Sequence, residues 1–189
     1  MKRRERLLLA AVPVLVALGG CAGRPAGPVP TDAAAPYACA GVPLTGAQRM
    51  SGTDDLIVDQ DLGTWGKPDS GFFCSLTTKD KEKDGRSVLT VLQLTIEGAG
   101  GYEEPSQVVD SLKQRQNAVE IVADEPGAGY VYGGKSLVRA WWVCGHTLLE
   151  VELYAPGSGR DAFADVSSYV VSMLPWACGG QTPPDKTSK

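Results

Sequence analysis

The chain has 189 residues, of which 18 are basic and 22 acidic, a formal net charge of −4, and 43% of it is apolar. That length suits one domain with its own core and short flanking segments. The acid excess repels phosphate backbones and speaks against nucleic-acid binding.

The chain opens on a basic cluster, Lys2, Arg3, Arg4 and Arg6, followed by an apolar run from Leu7 to Leu18. This pairing describes an export signal. The run stops at Gly19-Gly20-Cys21, short of the roughly 20 apolar residues that a membrane-spanning helix needs. Leu18-Gly19-Gly20-Cys21 resembles the lipobox of bacterial lipoprotein precursors. The resemblance implies a signal peptide over residues 1–20, with Leu18, Gly19 and Gly20 read by the signal peptidase. It also implies a diacylglycerol on the Cys21 thiol, with fatty chains such as palmitate, that holds the exported protein on the outer face of the cell membrane. Two acyl chains anchor stably where one binds marginally, at about 0.8 kcal/mol per buried CH₂. Removal of residues 1–20 takes away four basic residues and one acidic, leaving a net charge of −7. The domain itself should therefore not lie on anionic headgroups, and the membrane should be met only through the lipid.

Residues 21–38 comprise the lipidated Cys21 and a Pro-, Ala- and Gly-rich tether. An α+β domain is expected over 39–178. Phe72–Thr78 and Ser87–Ile96 read as strands joined by the charged segment Lys79–Arg86. The second is apolar on both faces and should be central. Pro105 suits the first turn of a helix, with Val108, Leu112 and Val119 as its apolar stripe. Gly129–Tyr132, a Gly133-Gly134 turn and Leu137–Cys144 make a hairpin, and Thr147–Tyr154 alternates Leu149, Val151 and Leu153 with Glu150 and Glu152. The last helix carries Phe163, Val166, Val170 and Met173, with Pro175 stopping it after Leu174. A disordered tail is expected over 179–189. The order ββ-α-βββ-α predicts a mainly antiparallel sheet with helices packed on it.

With Cys21 lipidated, Cys39, Cys74, Cys144 and Cys178 remain, an even number in an exported chain, which reads as two disulfides. Of three possible pairings, Cys39–Cys74 with Cys144–Cys178 is favoured, because each clips an irregular or helical end to a strand nearby in sequence. A metal site is not expected, since the chain has one histidine and no Cys-x-x-Cys pair.

Several patterns imitate chemistry. Gly129 to Ser136 matches a phosphate-binding loop letter for letter, but Tyr130-Val131-Tyr132 is a strand interior and no helix follows, so no nucleotide is expected. Asp80, Glu82 and Asp84 before Gly85 mimic half a calcium loop, but Val91 stands where its bidentate Glu belongs. His146 reads as a turn residue, and the acidic pairs as solvated or cross-strand partners, Glu152 or Glu150 with Arg139. No catalytic residue and no cofactor are expected. Trp141-Trp142 sends one ring to each sheet face, and Tyr130, Tyr132 and Tyr154 can share a binding surface with one of them.

The segments Cys39–Thr45, Phe73-Cys74, Val143-Cys144 and Ala177-Cys178 resemble small actinobacterial lipoproteins of uncharacterised function. That resemblance implies an antiparallel sheet with helices and two disulfides, and no catalytic residues. The expected function is a non-enzymatic binding or interaction module of the cell envelope. Its partner would be an envelope protein or polymer on one sheet face. The alternative is a small-ligand carrier with a pocket between sheet and helix, and a hydrolase ranks third.

Overall fold

Seven strands form the middle of the protein in a computed structural model that describes residues 27–67, 71–80 and 87–187. In chain order the elements are α1 Leu44–Ser51, β1 Leu56–Gly63, β2 Phe72–Thr78, β3 Leu89–Thr95, α2 Pro105–Lys113, β4 Val119–Ile121, β5 Ala128–Gly133, β6 Leu137–Cys144, β7 Thr147–Tyr154 and α3 Ala162–Ala177. The strands pair in the order β1-β2-β3-β7-β6-β5-β4, every neighbour antiparallel. Two meanders, β1 to β3 and β4 to β7, are thus sewn together where β7 lies against β3. The molecule is a single α+β domain.

The apolar alternation of β7 decides which side is core. Leu149, Val151 and Leu153 point to one face and meet Val138, Ala140 and Trp142 of β6 and Leu89 and Val91 of β3. On this face α3 lays Val166, Tyr169, Val170 and Met173, all fully buried. α1 packs beside it, close enough that a side chain at Gly46 would sit 2.7 Å from the Tyr169 ring. The opposite face carries a smaller core in which Val108 and Leu112 of α2 cover Ile96, Val143 and Leu148.

Both disulfides, Cys39–Cys74 and Cys144–Cys178, join the first face to its cover. One ties the segment before α1 to β2, and the other ties the end of α3 to β6. Loops of 35 and 34 residues contribute about 3–4 kcal/mol each in the chain-entropy account.

The architecture is fuller than ββ-α-βββ-α, since α1, β1 and β4 are added. α1 spans only 8 residues and contains a glycine, and β1 is a bulged edge strand with five exposed residues, so neither has a strong period. Val119 belongs to β4 and not to the stripe of α2. It stands seven residues after Leu112, two helical turns on paper, but the helix ends at Lys113 and the chain turns through Asn117 at φ 60. Pro175 does not stop α3, which continues to Ala177. A proline forgoes one bond to the carbonyl four residues back, and burial of Trp176 and Ala177 with the Cys178 bridge holds the last turn nonetheless.

The packed body also reaches past 39–178. Val29 is buried in the main core, and Arg49 and Arg160 donate to the carbonyls of Pro28 and Gly27. The segment after Cys178, read as a free tail, is instead laid along residues 37–41. Gly41 donates to Pro184, Thr187 to Tyr37, and the Tyr37 amide to the Thr187 hydroxyl. Residues 1–26, with Leu18, Gly19, Gly20 and Cys21, lie outside the described residues, as do 81–86 in the charged β2–β3 connection.

Candidate functional site

Alternation along β6 separates the two tryptophans. Trp142 is 2% exposed on the main core face, its indole N–H donating to the Pro126 carbonyl at 3.3 Å. It is core, and drops out of the candidate surface. Trp141 lies half-buried on the other face, and the pairing register aligns one residue from each strand beside it. Glu120, Tyr130, Trp141, Glu150, Leu92, Phe73 and Leu62 form a row across the whole sheet. The next row is polar: Tyr132, Arg139, Glu152, Thr90, Ser75 and Gln60. Tyr154 follows Glu152 on β7. Four of the five aromatic candidates are therefore gathered on one face.

The polar groups of this face serve one another. Arg139 Nε donates to one Glu152 oxygen, and the Tyr154 hydroxyl donates to the other at 2.5 Å. Burial, then the hydrogen bond to Glu152 and its charge, push the Tyr154 phenol up to about 12. Burial also raises the Tyr132 phenol, with the Glu150 charge adding to it, and the Arg115 guanidinium stands 5.8 Å over the Tyr132 ring. Burial raises the Glu150 carboxyl above its usual range, while the Trp141 indole N–H beside it is buried without a hydrogen-bond partner. With both its oxygens engaged, Glu152 acts as a structural hub.

The other patterns resolve locally. Gly133 and Gly134 turn β5 into β6, and a side chain at Gly133, with φ 130, would stand 2.3 Å from the Leu137 carbonyl oxygen. No helix N-terminus follows to receive a phosphate. His146 sits exposed in the β6–β7 turn with Nδ1 3.1 Å from Glu97, whose carboxyl is lowered by its own backbone amide and then by His146. Among the described residues no group of three His, Cys, Asp or Glu side chains is placed to hold a metal, and no helix is long and apolar enough to cross a membrane.

A concave feature of about 750 Å³ lies on the main-core side, at the β1–β2 edge of the sheet. α1 contributes Leu44, β1 contributes Leu56, Ile57 and Val58, and β2 contributes Leu76. Pro36–Ala38 and Lys186–Thr187 complete the wall. The volume falls within the roughly 300–1,000 Å³ of small-molecule sites. Reading the sequence by period missed these residues. The signal available was the run Leu56-Ile57-Val58 after a Gly- and Asp-containing break, which is a strand start. Its facing wall comes from segments more than a hundred residues apart, which no local pattern announces.

Fold and cavity together define a disulfide-clipped α+β domain with a ligand-sized apolar chamber at one edge of its sheet. A scan of protein-family models finds none that matches the chain, and searches among curated proteins and among solved structures likewise find no match.

Proposed function

We propose that the protein is an exported lipoprotein, anchored through a diacylglycerol on Cys21 to the outer face of the membrane, and that it is a non-enzymatic binding module of the envelope. Of its two forms, the small-ligand carrier has the better geometric support. The observation that carries it is the cavity of about 750 Å³ between α1 and the β1–β2 edge, with seven of its ten described lining residues aliphatic. A pocket between sheet and helix is what a carrier requires. The second form, a partner docked on a sheet face, draws support from the row Tyr130, Trp141, Leu92, Phe73 and Leu62, of which Leu62 is 58% exposed.

Native mass spectrometry of the full chain, extracted with its surrounding membrane in polymer discs, tests both levels. The expected spectrum shows cleavage before Cys21, a diacylglyceryl adduct on that residue and a further non-covalent mass. An unmodified Cys21 overturns the anchoring. Absence of any non-covalent mass overturns the carrier form and leaves the sheet-face partner.

A further inference from the structure

The chemistry of the cavity wall narrows what can enter. Pro36, Ala38, Leu44, Leu56, Val58 and Leu76 offer no side-chain hydrogen-bonding atoms. A sugar, nucleotide or peptide would carry many polar groups against that wall, and each one buried without a partner is costly. A hydrocarbon chain carries none.

The polar residues of the lining are not scattered. Tyr37, Lys186 and Thr187 all belong to one wall, where the C-terminal segment runs along residues 37–41. That wall is held by Thr187 N–H to the Tyr37 carbonyl at 3.1 Å, the Tyr37 amide to Thr187 Oγ1 at 2.9 Å, and Gly41 N–H to the Pro184 carbonyl at 2.8 Å. Lys186 carries the one formal charge among the described lining residues. Its Nζ is 3.2 Å from Asp61 Oδ2 and its side chain is half exposed. The ammonium is therefore at the rim, able to meet an anion there beside or in place of Asp61.

We infer that the cavity takes an acyl chain bearing an anionic headgroup, the chain lying against Leu44, Val58 and Leu76 and the headgroup meeting Lys186. This rests on the carrier reading above. Carboxylate and phosphate heads share the chemistry that Lys186 recognises, so a free fatty acid and a monoacyl phosphate lipid are the two sources to be distinguished.

The test is photo-crosslinking of the full chain in phosphatidylcholine vesicles with a diazirine-bearing palmitate, with labelled peptides mapped by mass spectrometry. Label is expected on the peptides containing Leu44 and Leu76, competed by unlabelled palmitate or by monoacylglycerol phosphate. The one effective at lower concentration names the source. Lys186→Glu should raise the competing concentration about tenfold or more, as loss of a charge-assisted contact does. Val58→Trp, which fills the chamber from a half-buried position, should abolish labelling while circular dichroism shows an intact fold. Label spread beyond the cavity peptides, or surviving Val58→Trp, overturns the cavity as the site. Equal competition by 1-hexadecanol, with Lys186→Glu unchanged, overturns the anionic head. No labelling at all, with a different non-covalent mass in the native spectrum, overturns the acyl ligand and leaves the carrier reading standing.

Discussion

Gln93 shows how a single polar side chain is made to serve a core. It is 3% exposed on β3, and its amide donates to the Ala177 carbonyl at 2.8 Å and accepts from the Gly66 amide at 2.6 Å. It thereby ties the end of α3 to the β1–β2 connection across the apolar face. Two ionisable residues of the opposite face act on stability in the same sense, each in its own pH window. Tyr154 keeps its proton in the fold up to about 12, two units above a free phenol. Between about pH 10 and 12 the folded state binds the extra proton, so this residue withdraws stability as pH rises through that window. Absorbance titration of tyrosinate should show a late-titrating phenol that Tyr154→Phe removes. Glu150 has its carboxyl raised by burial, so its charge destabilises the fold at neutral pH. That penalty is relieved as pH falls through the raised pKa toward the ordinary carboxyl value. Glu150→Gln should therefore be the more stable protein at pH 7 in urea melts, and the difference should close on acidification.

At the scale of elements, the start of α3 is fixed by local contacts and by one that joins it to a distant segment. Asp161 caps it by accepting from the Ala164 amide at 3.1 Å. One turn in, Asp165 is buried and held by Arg160 through two contacts of 2.5 and 2.7 Å, while Arg160 also donates to the Gly27 carbonyl. The pair thus pins the N-terminal segment to the helix start. Asp165→Asn should cost about 2–4 kcal/mol, the range for breaking a buried pair discounted for the rim position of Arg160. Limited proteolysis should show cleavage appearing first in residues 27–35. The strong elements, β2, β5, β6, β7 and the body of α3, were legible because their apolar periods are long and their turns carry glycine. The weak ones, α1, β1 and β4, were not, because tertiary packing holds segments of 3 to 8 residues that have little period of their own.

For the whole molecule, the two disulfides act on one sheet face and hold separate pieces of its cover. Cys39→Ser with Cys74→Ser, and Cys144→Ser with Cys178→Ser, should each lower stability by about 3–4 kcal/mol. Losing both removes about 7 kcal/mol, much of the 5–15 kcal/mol typical of a domain. The expected outcome is two-step loss of the folded baseline in denaturant melts as first one pair and then both are removed. Additivity is expected because the bridged sites are distant.

The sequence by itself determined the fold class, that four cysteines make two bridges, the central hairpins and the opposite facing of Trp141 and Trp142. All of these follow from strand alternation, from composition, or from spacing short enough to be read locally. Only the tertiary structure decided which cysteines pair, which tryptophan is core, that Pro175 lies inside α3, and that the two ends of the domain are laid against it. It alone assembled the cavity, whose wall joins residues 36–38, 44, 56–58, 76 and 186–187. The physical reason is sequence distance: the burial that stabilises these contacts comes from surfaces brought together only when the two meanders close into one sheet.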